Sequence, residues 1–226
     1  MNFIDLFIII VIIFFAIVGF NHGFFKSILN IIGFVGAFYV TFLLKNVVAE
    51  LAIMNLPFLK INSLFRTCPS INILFYHLLV FIFLFTMTEL LYNVIVSIFG
   101  LNEMALTLNT KLRLPSKILG IFSGLIEGVI IVFLAIFVLK QPFIRLKIVD
   151  DSDVANYFLK NTPLLSNWNR DYINMFDKIT ELIKKEKMND YEIALFSLEE
   201  NMITNENLEK LVELRKINNN DNMIDY

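Results

Sequence analysis

Glu127 and Glu89 are the residues best placed to do chemistry in this chain, because each carboxyl stands inside a long apolar run. Glu127 lies twelve residues after Pro115 and thirteen before Lys140, close to the midpoint of its run. Glu89 is near the middle of another, with Asn93 one helical turn further along the same face. An ionisable group in hydrocarbon is costly, so it turns toward other helices or a polar path rather than toward acyl chains. Three roles fit these positions: a hydrogen-bonding clamp between helices, a path for protons or ions, or a contact between subunits. Asp5 and Lys26 stand near the ends of runs, where a side chain can reach the interface by snorkelling. His77, one turn into its run, is read as interfacial.

A second pattern concerns packing. Gly120, Gly124 and Gly128 recur every four residues and form a GxxxGxxxG ladder on one helix face, with Ser116 and Ser123 nearby. Without a Cβ, such a face lets another backbone approach closely enough for extensive van der Waals contact. Gly19 and Gly23 bracket a short turn, and Gly33 with Ala37 repeats the small-xxx-small spacing. The spacing leaves open whether the partner is another helix of the same chain or of a second subunit.

Enzyme chemistry is not expected. The two histidines, His22 and His77, and the single cysteine, Cys68, show no metal-ligand spacing. No nucleophile elbow, P-loop or dinucleotide fingerprint occurs. The reading is therefore of a protein with no catalytic residues, no metal and no cofactor. A net charge of -2 provides no overall positive field for nucleic acid.

The elements that must position these residues follow from composition. Hydrophobic types make up 57% of 226 residues and charged ones 18%, too apolar for an ordinary water-soluble domain. The first 140 residues hold all eight glycines and 20 of the 24 phenylalanines, with eight basic and five acidic residues. The remaining 86 carry eleven basic and sixteen acidic residues, so the chain reads as a membrane domain, 1–140, followed by a soluble tail, 141–226. Four runs are long enough to span: Phe3 to Phe20, Phe24 to Leu44, Ile71 to Leu101 and Leu114 to Leu139. The first, eighteen residues long, makes about 27 Å of helix against roughly 30 Å of hydrocarbon. Only helices or closed barrels satisfy their backbone in lipid, and no strand pattern is present. Met1 to Asp5 has no positive n-region and no small-x-small cleavage site follows, so the first run is expected to be a mature span rather than a secretory signal. Asn21-His22-Gly23 makes a tight hairpin, and Lys45 to Ser70 a longer connection with an interfacial helix around Val47 to Met54.

The tail reads as short amphipathic helices. Ser152 is a plausible cap for one that Pro163 closes, and Ser166 for a longer one. In that helix Trp168, Tyr172, Phe176, Ile179 and Ile183 form an apolar stripe, the first three being candidates for docking a partner protein. Further pieces start near Asp190 and Thr204.

The sequence resembles the colicin V production protein family of small bacterial inner-membrane proteins. The resemblance rests on Asn2-Phe3-Ile4-Asp5, on Gly19-Phe20-Asn21-His22-Gly23-Phe24-Phe25-Lys26, on the glycine ladder, and on Asp151-Ser152 through Pro163-Leu164. It covers about residues 1 to 165 and departs from the family pattern at Asn21, His22, Ser27 and Glu127. It implies a multi-pass protein of the bacterial cell membrane linked to toxin production and export, with no defined molecular activity. Family relatives joined to extracytoplasmic protease domains imply an anchor whose tail lies outside.

The resulting expectation is an all-α fold, a four-helix transmembrane bundle with a short soluble helical tail, acting as an accessory or scaffold in toxin (bacteriocin) production, secretion or envelope homeostasis. Its expected partners are the lipid bilayer, a second copy through the glycine face, and a secretion or envelope protein. The rival readings are a small transporter or channel using Glu89, Asn93 and Glu127, and an anchor whose tail docks a partner. Charge counting does not fix the tail's side, although long tails translocate with little regard to charge, which favours both termini outside.

Overall fold

The apolar runs lack interior breakers over most of their length, so each is free to close its backbone hydrogen bonds within itself. The computed structural model describes residues 2–144, 146–163, 165–185 and 189–217, and all regular structure among them is helical. The helices are α1 (Phe3–His22), α2 (Phe24–Asn55), α3 (Ser63–Thr67), α4 (Ile71–Ile98) and α5 (Leu101–Leu139). After them come α6 (Lys147–Asp150), α7 (Asp153–Asn161), α8 (Leu165–Lys184), α9 (Asp190–Glu199) and α10 (Asn205–Glu213). Four of these, α1, α2, α4 and α5, are long and apolar enough to cross a membrane.

Several boundaries differ from those expected. The second span does not stop at Leu44, because Lys45 is buried with its ammonium 4.7 Å from the Phe42 ring centroid. Hence α2 runs on to Asn55, and the expected interfacial helix is its continuation. The third span ends at Ile98, where Gly100 takes φ 61° and turns the chain. A segment not anticipated, 101–112, then precedes the fourth span, and α5 breaks at Arg113 with φ 41° and ψ -112°. Pro115 falls in the first turn after that break, where its missing N–H costs nothing.

The chain forms two compact units. The first comprises Met1–Thr41, Phe85–Lys140 and Leu146–Arg170, the second Phe42–Leu84, Gln141–Arg145 and Asp171–Tyr226.

In the first unit α1 packs on α5. Only Asp5, Ile8 and Gly19 of α1 are buried, while Phe3, Phe7, Ile10, Ile13, Phe14 and Ile17 are exposed. That is the reverse of a water-soluble helix, which buries its Phe and Ile and exposes its Asp. An apolar surface this continuous belongs to a helix long and apolar enough to cross a membrane. At the far end of α5, Lys140 makes an ion pair of 2.8 Å with Asp150 and reaches Asn156 at 3.2 Å. Ser152 caps α7, accepting from the Ala155 N–H at 3.0 Å, and the helix ends at Asn161 before Pro163. Ser166 does not cap α8: it lies inside the first turn, donating to the Thr162 carbonyl at 2.7 Å.

In the second unit the apolar stripe of α8 builds a core. Phe176, Ile179, Ile193 and Leu211 are buried, as are Ile53, Ile71 and Leu74. The Asn72 amide clamps Leu59, accepting from its N–H at 2.8 Å and donating to its carbonyl at 3.2 Å. His77 is buried rather than interfacial, its Nε2 2.8 Å from the Met202 carbonyl. The Lys216 ammonium donates to the carbonyls of Ile53, Met54 and Leu56 at 2.9 to 3.0 Å, closing the C-terminal end of α2 where a cation suits the helix dipole. Burial pushes the Cys68 thiol up to about 11, with the Asp190 carboxylate adding to the effect, so the thiol stays protonated and unreactive at neutral pH.

Candidate functional site

Of the polar and glycine positions in the spans that the sequence singles out, His77 lies in the second unit and the others in the first, most of them at four places. The largest is the seam between α1 and α5. A Cβ at Gly19 would lie 2.8 Å from the Gly124 Cα and run into the Gly120 carbonyl oxygen. At Gly124 it would lie 3.0 Å from the Gly19 Cα and strike the Phe15 carbonyl oxygen, and at Gly128 it would lie 3.0 Å from the Phe15 Cβ. The ladder therefore meets α1 of the same chain. A second copy could use that face only by displacing α1, so self-association through it gives way to packing within the chain. Gly33 accommodates the Tyr92 ring of α4, whose hydroxyl donates to the Leu29 carbonyl at 2.7 Å.

The second place is the α1–α2 turn. Gly23 takes φ 75°, a conformation that favours glycine, and its Cβ position would be 2.7 Å from the Asn109 side chain. Phe24 and Phe25 open α2 with no capping side chain of their own. Their N–H groups are satisfied from α5 instead: Phe24 donates to the Ser116 hydroxyl at 3.0 Å and Phe25 to Asn109 Oδ1 at 3.2 Å. Ser116 in turn donates to Asn109 Oδ1 at 2.6 Å, and the Asn109 amide donates to the His22 carbonyl at 2.7 Å. Asn109 is thus the hub of a lock between the hairpin and the break in α5. Sequence reasoning missed it, although a helix starting on Gly-Phe-Phe signals that its cap must come from elsewhere.

Third is the N-terminal end of α1. Asp5 was expected to snorkel, but it is buried. It accepts from the Asn2 N–H at 2.6 Å in a capping box and from the Ser152 hydroxyl, while the Asn2 amide donates to the Ile148 carbonyl at 2.6 Å. An aspartate that close to the mouth of a span is held by α7 rather than by water.

The fourth is the carboxyl pair. Glu89 and Glu127 lie within electrostatic reach of one another, and Tyr92 within reach of Glu89. One Glu89 oxygen, Oε2, is buried without a hydrogen-bond partner among the described residues. Asn93 does not join them: it is exposed, and its amide donates to the Glu89 backbone carbonyl of its own helix at 2.9 Å. Of the tail candidates, Phe176 is buried in the second unit, whereas the side chains of Trp168 and Tyr172 lie outside the described residues.

Four helices long and apolar enough to cross a membrane, braced by a glycine seam and interhelical polar locks, are the fold of a helical membrane protein. The family model for the colicin V production protein matches residues 4–163. The chain belongs to that family. No curated protein and no solved structure matches it.

Proposed function

We propose that this protein is a non-enzymatic accessory of the bacterial cytoplasmic membrane that supports toxin production, secretion or envelope homeostasis by scaffolding a partner protein. The observation that carries the reading is how its polar groups are used: Asp5, Asn109, Ser116 and Tyr92 are all engaged in holding one helix to another. A rigid brace of this kind suits a scaffold better than a site that must bind and release. Long tails translocate with little regard to charge, which supports a cytoplasmic hairpin and termini outside. In a bacterium deleted for its own family member, the chain is expected to restore both secreted bacteriocin activity and resistance to an envelope-perturbing detergent. Membrane accumulation of the protein with neither trait restored overturns the reading.

A second reading, a proton or ion path, is favoured by the unpartnered Glu89 oxygen beside Glu127. Liposomes containing the protein would then dissipate a proton gradient, and Glu127→Gln would abolish the leak. Wild-type liposomes as tight as empty ones remove this reading.

A further inference from the structure

Beside the α1–α2 turn the first unit contains a cavity of about 520 Å3. Asn21, His22, Asn109, Thr110, Arg113, Ser116 and Lys117 supply its polar lining. Arg113 and Lys117 carry positive charge, the other polar residues supply neutral hydrogen-bonding groups, and no carboxylate lines the wall. A cavity so composed is built for an anion.

Other features add to this charge. The chain departs from helix at Arg113, whose φ of 41° is one that residues with a Cβ rarely hold. Backbone in such a region is held there by its surroundings and tends to occur where ligands bind. Two long helical segments start at the cavity, α2 at Phe24 and the second part of α5 just after Arg113, and their N-terminal ends add partial positive charge. Because the first α2 N–H groups are taken by Ser116 and Asn109, what that end contributes is field rather than free donors. His22 Nδ1 is buried and has no hydrogen-bond partner among the described residues.

The surroundings identify the kind of anion. The Lys117 ammonium sits 5.2 Å from the Phe20 ring centroid, which keeps the charged head against an apolar surface. Leu112, Leu114 and Ile118 stand exposed along the same stretch of α5, Leu114 at 68%. A free inorganic ion would have no use for that rim, whereas a phosphate carrying acyl chains would. We propose that this cavity holds the phosphate of an anionic phospholipid, with Arg113 and Lys117 as its charge partners and the chains lying along the exposed leucines and Ile118. The bound headgroup then sits against the Asn109 lock and fastens the hairpin to α5 from the membrane side.

The test uses the purified full-length chain in detergent, with lipid retention read by native mass spectrometry and thermal melting. Phosphatidylglycerol is expected to be retained in preference to phosphatidylcholine and to raise the melting temperature. Each basic residue beside an anionic headgroup is worth about fivefold in affinity, so Arg113→Gln with Lys117→Gln should cut the preference about thirtyfold. Lys117→Gln alone, at an exposed helical position, should cut it about fivefold, which keeps the test decisive if the double variant folds poorly. Lys111→Gln, which changes a basic residue outside the cavity lining, should leave it unchanged. Equal retention of the two lipids, wild-type preference in the Lys117 variant, or an equal loss in the Lys111 variant overturns the proposal. So does a full melting shift from inorganic phosphate alone, which would make the free ion the ligand.

Discussion

Gly124→Leu is expected to remove most of the protein from the membrane fraction, the largest effect of any single substitution in the spans. The Cβ of any residue at 124 would strike the Phe15 carbonyl oxygen and approach the Gly19 Cα to 3.0 Å, and both obstacles are backbone. Neither can rotate away, so α1 and α5 must separate along the whole ladder. Overpacking a well-fitted interface costs about 1 to 3 kcal/mol when side chains can shift, and more when only backbone can. In lipid there is no hydrophobic drive to compensate, because the exposed Phe and Ile of α1 gain nothing by approaching α5 rather than acyl chains. The seam is therefore held by contact alone. Gly36→Leu is the matched control: no atom lies within 4 Å of where its Cβ would be, and leucine is the better helix former. Quantitative immunoblots of membrane fractions should show near-normal Gly36→Leu and strongly depleted Gly124→Leu. Equal accumulation of the two would mean that the seam does not hold the fold.

Which features could be read from the sequence depended on whether the signal was local. The spans were legible because their apolar runs are continuous, and the cap at Ser152 because a capping hydroxyl acts within three residues of itself. Lys45 misled for a physical reason: a lysine after an apolar run ordinarily marks the interface, yet here it is buried and the helix continues through it. Asp5 misled in the same way, since the Ser152 that buries it lies 147 residues further along the chain. The division into units was hidden for the same cause. The C-terminal part of α2 shares its unit with the chain from Asp171 onward, and Lys216 reaches the Ile53 carbonyl across 163 residues. Periodicity describes the faces of a helix; it does not say which distant segment covers them.

The same logic makes Asn109→Ala the sharpest test of the hairpin lock. Truncation removes the acceptor of the Phe25 N–H and of the Ser116 hydroxyl, and the donor to the His22 carbonyl. A hydrogen bond contributes about 1 kcal/mol net, and a buried group left without its partner costs about 1 to 3 kcal/mol. Losing a helix cap alone costs about 1 kcal/mol. The lock should therefore be worth about 3 kcal/mol, which lowers the melting temperature by roughly 6 to 12 °C for a chain of this size. Asn109→Asp separates the two halves of the effect: its carboxylate still accepts from Phe25 and Ser116 but cannot donate to His22, so its melting point should fall between those of wild type and the alanine variant. Asn93→Ala sets the baseline, because that amide is exposed and bonds to the Glu89 carbonyl one turn back on its own helix. If Asn109→Ala melts with Asn93→Ala in detergent, the turn at Gly23 is held by its own backbone and the contacts from α5 are incidental. A clear separation, with the aspartate between, means that α2 begins where it does because α5 caps it.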